Sequence, residues 1–407
     1  MAGLGVPPAA DVGVSAQDAD NLDAGIRWTV AHAAAGSPWW RDHLERAGVD
    51  PASIAGVADL PRLPFSTKDD LRGSYPLGWA AVPESSLVRV HASSGTTGKR
   101  TVCAYTARDI DDWAAQFARS FAAAGVTAAD RVQVMVGYGL WTAGAGFQAG
   151  AERLGALVVP TGPGNLELQV EMMVDLGTTV LCATSSFALL IAETVEARGL
   201  TGSLAARVGI FGSERWGPQM RERIESLLGI ECPEHDGIHY WSDYFVVEIV
   251  DPETGEPVAP GEQGEIVVTT LRKEGMPLIR YRTRDVSRLY TEPCSCGSPY
   301  PRLAQLTGRT DDMVKVKGVA VFPAQVETIL SRVDGVGPEY QLHIHRESGR
   351  GDVMVVRVEA DDRPGLREAL AHQLREGLSV RPEVELVPPG RLPRSERKTR
   401  RVFDHRE

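Results

Sequence analysis

Seven consecutive residues, Ser93-Ser94-Gly95-Thr96-Thr97-Gly98-Lys99, combine hydroxyls, two glycines and a closing lysine, a set suited to gripping phosphate and ill suited to packing. Glycine permits positive φ and close backbone approach, hydroxyls and backbone N–H groups donate to phosphate oxygens, and Lys99 adds a mobile positive charge. Leu87–Val90 and Val102–Tyr105 read as strands on either side, so the loop should cap a hairpin. It is not a Walker A loop, because no glycine precedes Gly98-Lys99 at the required spacing and no helix follows directly. An ordinary polar Gly/Ser/Thr turn is the bland alternative, and the length of the segment weighs against it.

A second constellation is Cys232, His239, Cys294 and Cys296, with His235 as a substitute ligand. Cys294-Ser295-Cys296-Gly297 forms a tight knuckle and Cys232 with His239 brackets another short loop, together offering the soft tetrahedral donor set of structural Zn²⁺. The spacing is irregular beside a standard CxxC pair, and free loop thiols are the alternative. Exposed cysteines are otherwise a liability, and three of the five cysteines lie in these two polar loops. A metal here should staple the surrounding lobe and take no part in catalysis.

The elements that must position these groups follow from periodicity. Residues 1–20, rich in Ala, Gly and Pro, read as a flexible tail, followed by helical patterns at Asn21–Ala35, Trp39–Ala47 and Asp109–Ala124. Strands at 132–136, 157–160, 179–183 and 207–211 alternate with helices at 147–154 and 166–175, which implies right-handed βαβ units and a parallel sheet covered on both faces. Beyond Phe211 the chain turns strand-rich, with 245–250 and 264–270 as clear segments of an antiparallel lobe. From Gly308 a compact α+β segment follows, with helices at 324–330 and 364–376 and strands at 340–345, 353–360 and 384–387. The expected fold is α/β: a large N-terminal domain, 21–308, with parallel sheet layers and an antiparallel lobe, and a small mobile α+β domain, 309–407, hinged at 309–312.

With 407 residues, 43% hydrophobic and 24% charged, the chain can bury a large core. Its net charge of −11 argues against nucleic acid as a partner. No apolar run is long enough for a bilayer and no signal-peptide pattern opens the chain, so no membrane partner and a cytoplasmic location are expected. A homodimer is compatible with this reading.

Together with the hydroxyl loop, six further segments resemble the adenylate-forming (acyl-CoA synthetase) superfamily, in its phenylacetate-CoA ligase branch. They are Leu63-Pro64-Phe65-Ser66-Thr67-Lys68-Asp69-Asp70-Leu71, Gly150-Ala151-Glu152-Arg153-Leu154-Gly155-Ala156, Asp251-Pro252-Glu253-Thr254-Gly255, Ile279-Arg280-Tyr281-Arg282-Thr283-Arg284-Asp285, Gly308-Arg309-Thr310-Asp311-Asp312 and Arg397-Lys398-Thr399-Arg400-Arg401. The resemblance runs from about Trp39 to Arg406. It implies that a carboxylic acid and Mg-ATP give an acyl-adenylate and pyrophosphate, after which a thiol, usually coenzyme A, displaces AMP.

By the same resemblance, Asp285 holds the ribose hydroxyls, and Gly212-Ser213-Glu214-Arg215-Trp216 lines the adenine. A surface ion pair of Asp285 with Arg282 or Arg284 is the alternative for the former. Lys398 is similar to the lysine that the small domain brings to the α-phosphate for adenylation; a solvated basic tail is the alternative. Asp311 is expected as the pivot and Arg309 as a ribose or phosphate contact. Aromatic Tyr138, Trp141 and Phe147, separated by small residues including Gly144, fall where the family binds the acid. Flat walls around a slot favour an aryl group, with core packing as the alternative for any single ring.

The chain departs from the family pattern in one place. A Tyr-Gly-x-Ser/Thr-Glu segment should follow the helix expected at Pro218–Leu228, and its glutamate helps hold Mg²⁺. Here Leu228-Gly229-Ile230 runs into Glu231-Cys232-Pro233-Glu234, leaving Glu214 or Asp243 as substitute ligands, or a remodelled site. Arg100 also replaces the usual proline after the loop lysine. The expected activity is ATP-dependent adenylation of an aromatic acid, benzoate-like or arylacetate-like, and transfer to coenzyme A. The alternatives are transfer to an amine or carrier-protein thiol, and a nucleotide-binding regulator without turnover.

Overall fold

Hydroxyl and amide side chains open many of the helices in the first half of the chain, where the first N–H groups lack intrahelical partners. Ser37 caps α2 (Pro38–Arg46), which follows α1 (Gln17–Gly36). Thr67 and Asp70 form a reciprocal capping box on α3 (Lys68–Gly73), as Thr106 and Asp109 do on α4 (Ala107–Ala123). After α5 (Ala143–Leu154), Asn165 caps α6 (Leu166–Asp175) and Thr184 caps α7 (Ser185–Ala197). The computed structural model describes residues 17–407 except 94–98, 213–236, 291, 293, 311–313, 318, 348–350, 379, 393–400 and 407.

Strands β1 (Arg89–Ala92) and β2 (Val102–Tyr105) pair antiparallel, so the hairpin expected around the hydroxyl loop is present. Strands β3 (Arg131–Val134), β4 (Leu157–Val159), β5 (Val180–Ala183) and β6 (Val208–Phe211) form the parallel sheet, in the order β4-β3-β5-β6. One buried cluster on this sheet gathers Phe121, Val132, Val134, Val180 and Cys182; a second gathers Met135, Leu181, Ile191 and Val195. Both clusters take residues from β5, and Val132 and Val134 of β3 join one while Met135, just past β3, joins the other, which explains the apolar character of these strands.

Further on lie β7 (Ile238–His239), β8 (Phe245–Val250), β9 (Gly264–Thr270), β10 (Tyr281–Ser287), β11 (Arg302–Leu303) and β12 (Gly308–Arg309). A four-stranded sheet runs β12-β10-β9-β8, and β7 pairs antiparallel with β11. The last segment contains β13 (Val314–Val316), β14 (Val319–Val321), α8 (Pro323–Leu330), β15 (Val336–Glu347), β16 (Gly351–Ala360), α9 (Leu366–Leu378), β17 (Glu383–Val387) and β18 (Val402–Asp404). Its sheet runs β17-β16-β15-β18, and Leu342, Ile344, Val356 and Val358 pack with Val326, Ile329, Leu370 and Leu374 of the two helices.

The chain divides into two compact units. One comprises Met1–Glu248, Val267–Arg282 and Tyr290–Leu303; the other comprises Ile249–Ile266, Thr283–Leu289 and Ala304–Glu407. Three of the five crossings fall inside β8, β9 and β10; the other two follow β10 and β11. Several local features differ from the sequence expectation, including α3, β13 and β14, which occupy spans left unassigned. Helix α1 starts at Gln17, inside the stretch read as a loose tail; α7 occupies a span left unassigned; and β18 adds a strand after the basic run.

Asp130 ties the edge of the parallel sheet together. Its oxygens accept from Arg207 Nε at 3.0 Å and Nη2 at 2.5 Å, from Thr179 Oγ1 at 2.8 Å and from the Thr127 N–H at 2.7 Å. Burial alone would raise its pKa, but these donors, Arg207 foremost, bring it down to about 2. A depressed carboxyl pKa adds stability that is complete above the ordinary value of 3.8 and disappears as pH falls through about 2. Asp130→Asn should therefore cost about 1–3 kcal/mol at neutral pH, and the difference from wild type should shrink to nothing in acid. Urea unfolding followed by tryptophan fluorescence measures it, because all eight tryptophans lie between positions 28 and 241.

Candidate active site

The tip of the β1–β2 hairpin is closed by Ser93. Its N–H donates to the Thr101 carbonyl at 3.0 Å, and its hydroxyl accepts from Thr101 Oγ1 at 2.5 Å. Ser94, Gly95, Thr96, Thr97 and Gly98 lie outside the described residues. Lys99 is exposed, with Nζ 5.3 Å from the centre of the Tyr75 ring, and Arg100 Nη1 reaches the Ser93 carbonyl at 3.4 Å. At the base of the hairpin stands a cationic and aromatic cluster that the sequence reading did not single out. Lys273 Nζ sits 3.5 Å over the Tyr105 ring, Arg89 lies over Trp113, and His91 packs between Tyr105 and Trp113. Burial pushes the His91 imidazole below its ordinary pKa, aided by Arg89, and pushes the Tyr105 phenol upward. Alternation along β1 places Arg89 and His91 on one side, which is the signal that could have found them.

Two of the motif segments that carry the resemblance meet in space. Ser66 donates its N–H to the Arg280 carbonyl at 3.1 Å and its hydroxyl to the Ile279 carbonyl at 2.8 Å, and its own carbonyl accepts from the Arg282 N–H at 2.9 Å. Arg280, 3% exposed, donates Nε and Nη2 to Glu248 at 3.1 and 2.9 Å and Nη1 to the Leu63 carbonyl at 3.0 Å, and it stacks 4.0 Å over Phe65. The segment 63–66 is thereby fastened to the start of β10.

Further along β10, Asp285 pairs in register with Arg309, whose Nη1 donates to Asp285 Oδ1 at 2.8 Å. Asp285 thus has Arg309 as an ion-pair partner, while Arg284 turns toward Glu265, 3.7 Å away. Glu265, fully buried, also accepts from the Arg284 N–H at 3.2 Å and from Thr310 Oγ1 at 3.4 Å. It anchors the approach to residue 311, and no spacing pattern marked it, because a glutamate inside an apolar strand looks like an outward-facing residue. Asp311 and Lys398 lie outside the described residues. Gly212 directly follows β6, its N–H donating to the Ala183 carbonyl at 3.2 Å; Ser213, Glu214 and Arg215 lie outside the described residues.

The aromatic segment has a different character from the slot expected of it. A Cβ on Gly146 would come within 2.5 Å of Phe117 Cζ and within 2.9 Å of Trp113 Cζ2, and one on Gly150 within 2.4 Å of Phe117 Cβ. The small residues of α5 therefore admit the rings of α4. Phe147 meets Phe117 and Phe121 edge to face, and Trp141 packs on the same core. A Cβ on Gly144 would meet the Gly137 carbonyl at 2.6 Å. Tyr138 remains 36% exposed.

Asp243, a substitute Mg²⁺ ligand on sequence grounds, accepts from Arg119 Nη1 at both oxygens, 3.0 and 2.8 Å away. Its charge is already neutralised, so it does not suit a hard cation that needs free carboxylate oxygens. The thiol constellation assembles well. His239 Nδ1 donates to the Tyr300 carbonyl at 2.8 Å, which leaves Nε2 facing Cys296 Sγ at 3.3 Å. The ligand atoms of His239, Cys294 and Cys296 all lie within 4.8 Å of one another, and the Cys296 N–H, with His239 nearby, pulls the Cys294 thiol down to about 7. Cys232 lies outside the described residues. Among the described residues no helix is long and apolar enough to cross a membrane.

The α4–α5 contact yields a stability test. Gly150→Ala forces a methyl against Phe117 and should destabilise the protein by about 1–3 kcal/mol, lowering its thermal midpoint, whereas Ala149→Gly one position earlier lacks that clash.

Residues 318–406 match the family model for the C-terminal domain of AMP-binding enzymes. A phenylacetate-coenzyme A ligase of Thermus thermophilus is 40% identical, with 94% of this chain and 95% of that protein covered. A phenylacetate-coenzyme A ligase of Escherichia coli K12 is also 40% identical, covering 94% and 93%. Among solved structures, a 2-hydroxyisobutyryl-CoA ligase in its postadenylation state with 2-HIB-AMP superposes with a TM-score of 0.83 at 28% identity, over 96% of this chain and 90% of that one. On this near-full-length likeness, the chain belongs to the phenylacetate-CoA ligase family of AMP-forming acid–CoA ligases.

Proposed function

We propose that this chain activates an aromatic carboxylic acid, benzoate-like or arylacetate-like, with ATP and transfers the acyl group to coenzyme A. The observation that carries the reading is the 40% identity to phenylacetate-coenzyme A ligases over 94% of the chain. A substrate carboxylate oxygen attacks the α-phosphorus, a new P–O bond forms, and the bond to the β-phosphate breaks to release pyrophosphate. The thiolate of coenzyme A then attacks the acyl carbonyl and AMP leaves.

In the first step negative charge grows on the α-phosphate and on pyrophosphate. The hydroxyls and N–H groups of 93–98, with Lys99, are assigned to the phosphates, and Lys398 to the developing charge at the reacting phosphorus. Asp285 is assigned to the ribose. Its bond to Arg309 orients the carboxylate, a group able to accept from two hydroxyls at once. Gly212, Ser213, Glu214 and Arg215 are assigned to the adenine, Asp311 to the hinge, and 309–407 to the domain that turns between the half-reactions. Tyr138, the exposed ring at the entrance to α5, is assigned to the acid; Trp141, Gly144 and Phe147 support its position from behind. Mg²⁺ accompanies ATP as phosphate-bound counter-charge. Zn²⁺ is assigned to His239, Cys294 and Cys296, completed by Cys232, as a structural ion remote from the chemistry. The protein is assigned to the cytoplasm.

Three experiments test these assignments. Acid-dependent exchange of labelled pyrophosphate into ATP, run over substituted benzoates, phenylacetates and aliphatic acids, should be supported by the aromatic acids alone. Lys398→Ala should reduce that exchange by about 10²-fold or more while leaving thioester formation from presynthesised acyl-adenylate largely intact. Equal loss in both half-reactions removes Lys398 from the assigned role. For the thiol site, replacing the metal with Co²⁺ should give a thiolate-to-cobalt charge-transfer band that is absent in Cys294→Ser. A wild-type protein without that band refutes the zinc assignment.

A further inference from the structure

The outer face of the C-terminal sheet carries three histidines that none of the adenylation chemistry uses. His343 and His345 stand two residues apart on β15, hence on one face, opposite the side that buries Leu342 and Ile344 in the core. Strand β18 pairs parallel with β15, placing Phe403 beside His343 and Asp404 beside Ile344, and the His405 N–H donates to the Ile344 carbonyl at 2.8 Å. The third imidazole is therefore delivered to the other two by strand pairing.

The three rings lie nearly parallel. Centroids of His343 and His405 are 5.3 Å apart, those of His345 and His405 4.6 Å, and one ligand nitrogen from each ring lies within 4.8 Å of the others. His343 Nε2 faces Gln341 Oε1 at 3.1 Å, and Gln341 is itself only 7% exposed. The amide oxygen can only accept, so Nε2 carries the proton and Nδ1 presents its lone pair toward His405 Nε2, 3.0 Å away. An outer acceptor that fixes the tautomer of an imidazole so that its other nitrogen faces a shared centre is the usual arrangement behind a metal-bound histidine. The nearby Arg357 is paired with Glu385 at 3.0 and 3.1 Å, so its charge is offset. Three imidazoles without a thiolate or carboxylate suit a borderline divalent ion, and rotation about χ2, a broad and shallow torsion, converges the lone pairs.

We propose that His343, His345 and His405 form a surface binding site for an imidazole-preferring divalent transition ion, which clasps β18 onto β15. The site takes one ion and is separate in sequence and donor chemistry from the thiol set at His239, Cys294 and Cys296. Its occupation would stabilise the strand that follows the basic segment 397–401.

The test titrates Co²⁺ into chelator-stripped full-length protein, reading stoichiometry by calorimetry and coordination by absorption. Wild type should take up one equivalent whose weak visible bands appear without thiolate charge transfer. That equivalent should vanish in His345→Ala and in His405→Ala, the latter an exposed position whose loss should leave metal-free unfolding unchanged. Gln341→Ala should retain the site with affinity reduced about 10- to 100-fold. The thiolate band assigned to Cys294 and Cys296 should be the same in all of these proteins, so failure of the zinc assignment and failure of this one read out separately. Equal Co²⁺ stoichiometry and visible spectra in wild type, His345→Ala and His405→Ala would overturn the proposal.

Discussion

The buried guanidinium of Arg280 is the constraint on which the arrangement of strand β10 depends. A charge that is 3% exposed is tolerable only when its donors are satisfied, and here Glu248 takes two of them and the Leu63 carbonyl a third. Breaking such a pair leaves an uncompensated charge in the interior, a loss of about 3–5 kcal/mol. With Arg280 locked, the segment around Ser66 joins β10 through three backbone-directed hydrogen bonds, and β10 then leads within a few residues to Asp285.

The same logic, in which buried polar groups dictate where chain segments go, recurs across the molecule. Gln133 in the middle of the parallel sheet donates to Gln169 at 2.8 Å and accepts from Thr178 at 2.9 Å, and Gln169 holds the carbonyls of Gly162 and Gly164. Asp109 accepts from the N–H groups of Glu274 and Gly275, fixing the turn that carries Lys273 beneath the hairpin. Glu265 does the same for Arg284 and Thr310. In each case one buried, hydrogen-bonded side chain fixes a neighbouring segment whose own residues are largely small or polar.

The two clusters of candidate ligand side chains differ in donor type. Thiolates with one imidazole collect at Cys294, Cys296 and His239, where a backbone N–H already favours the charged sulfur. Imidazoles alone collect on the outer sheet face at 343, 345 and 405. Neither set lies on the segments assigned to ATP.

Much of the architecture was legible in the order of residues. Alternation of apolar runs with helical periodicity specified the parallel sheet, and the hydroxyl loop between Arg89–Ala92 and Val102–Tyr105 announced its hairpin. Short-range patterns suffice there because helix and strand periodicities are local. Helix α7 escaped notice because its apolar residues spread around the cylinder rather than forming a stripe, and β18 because a basic run precedes it. Residue chemistry also pointed to the Cys/His set, and family resemblance to Asp285. What only the tertiary structure decided was partnership: that Asp285 meets Arg309, that Asp243 is claimed by Arg119, that Phe117 fills the space between the glycines of α5, and that His405 joins His343 and His345. These pairings link residues from two dozen to more than a hundred positions apart, and the desolvation and packing energies that select them exist only once the chain has folded.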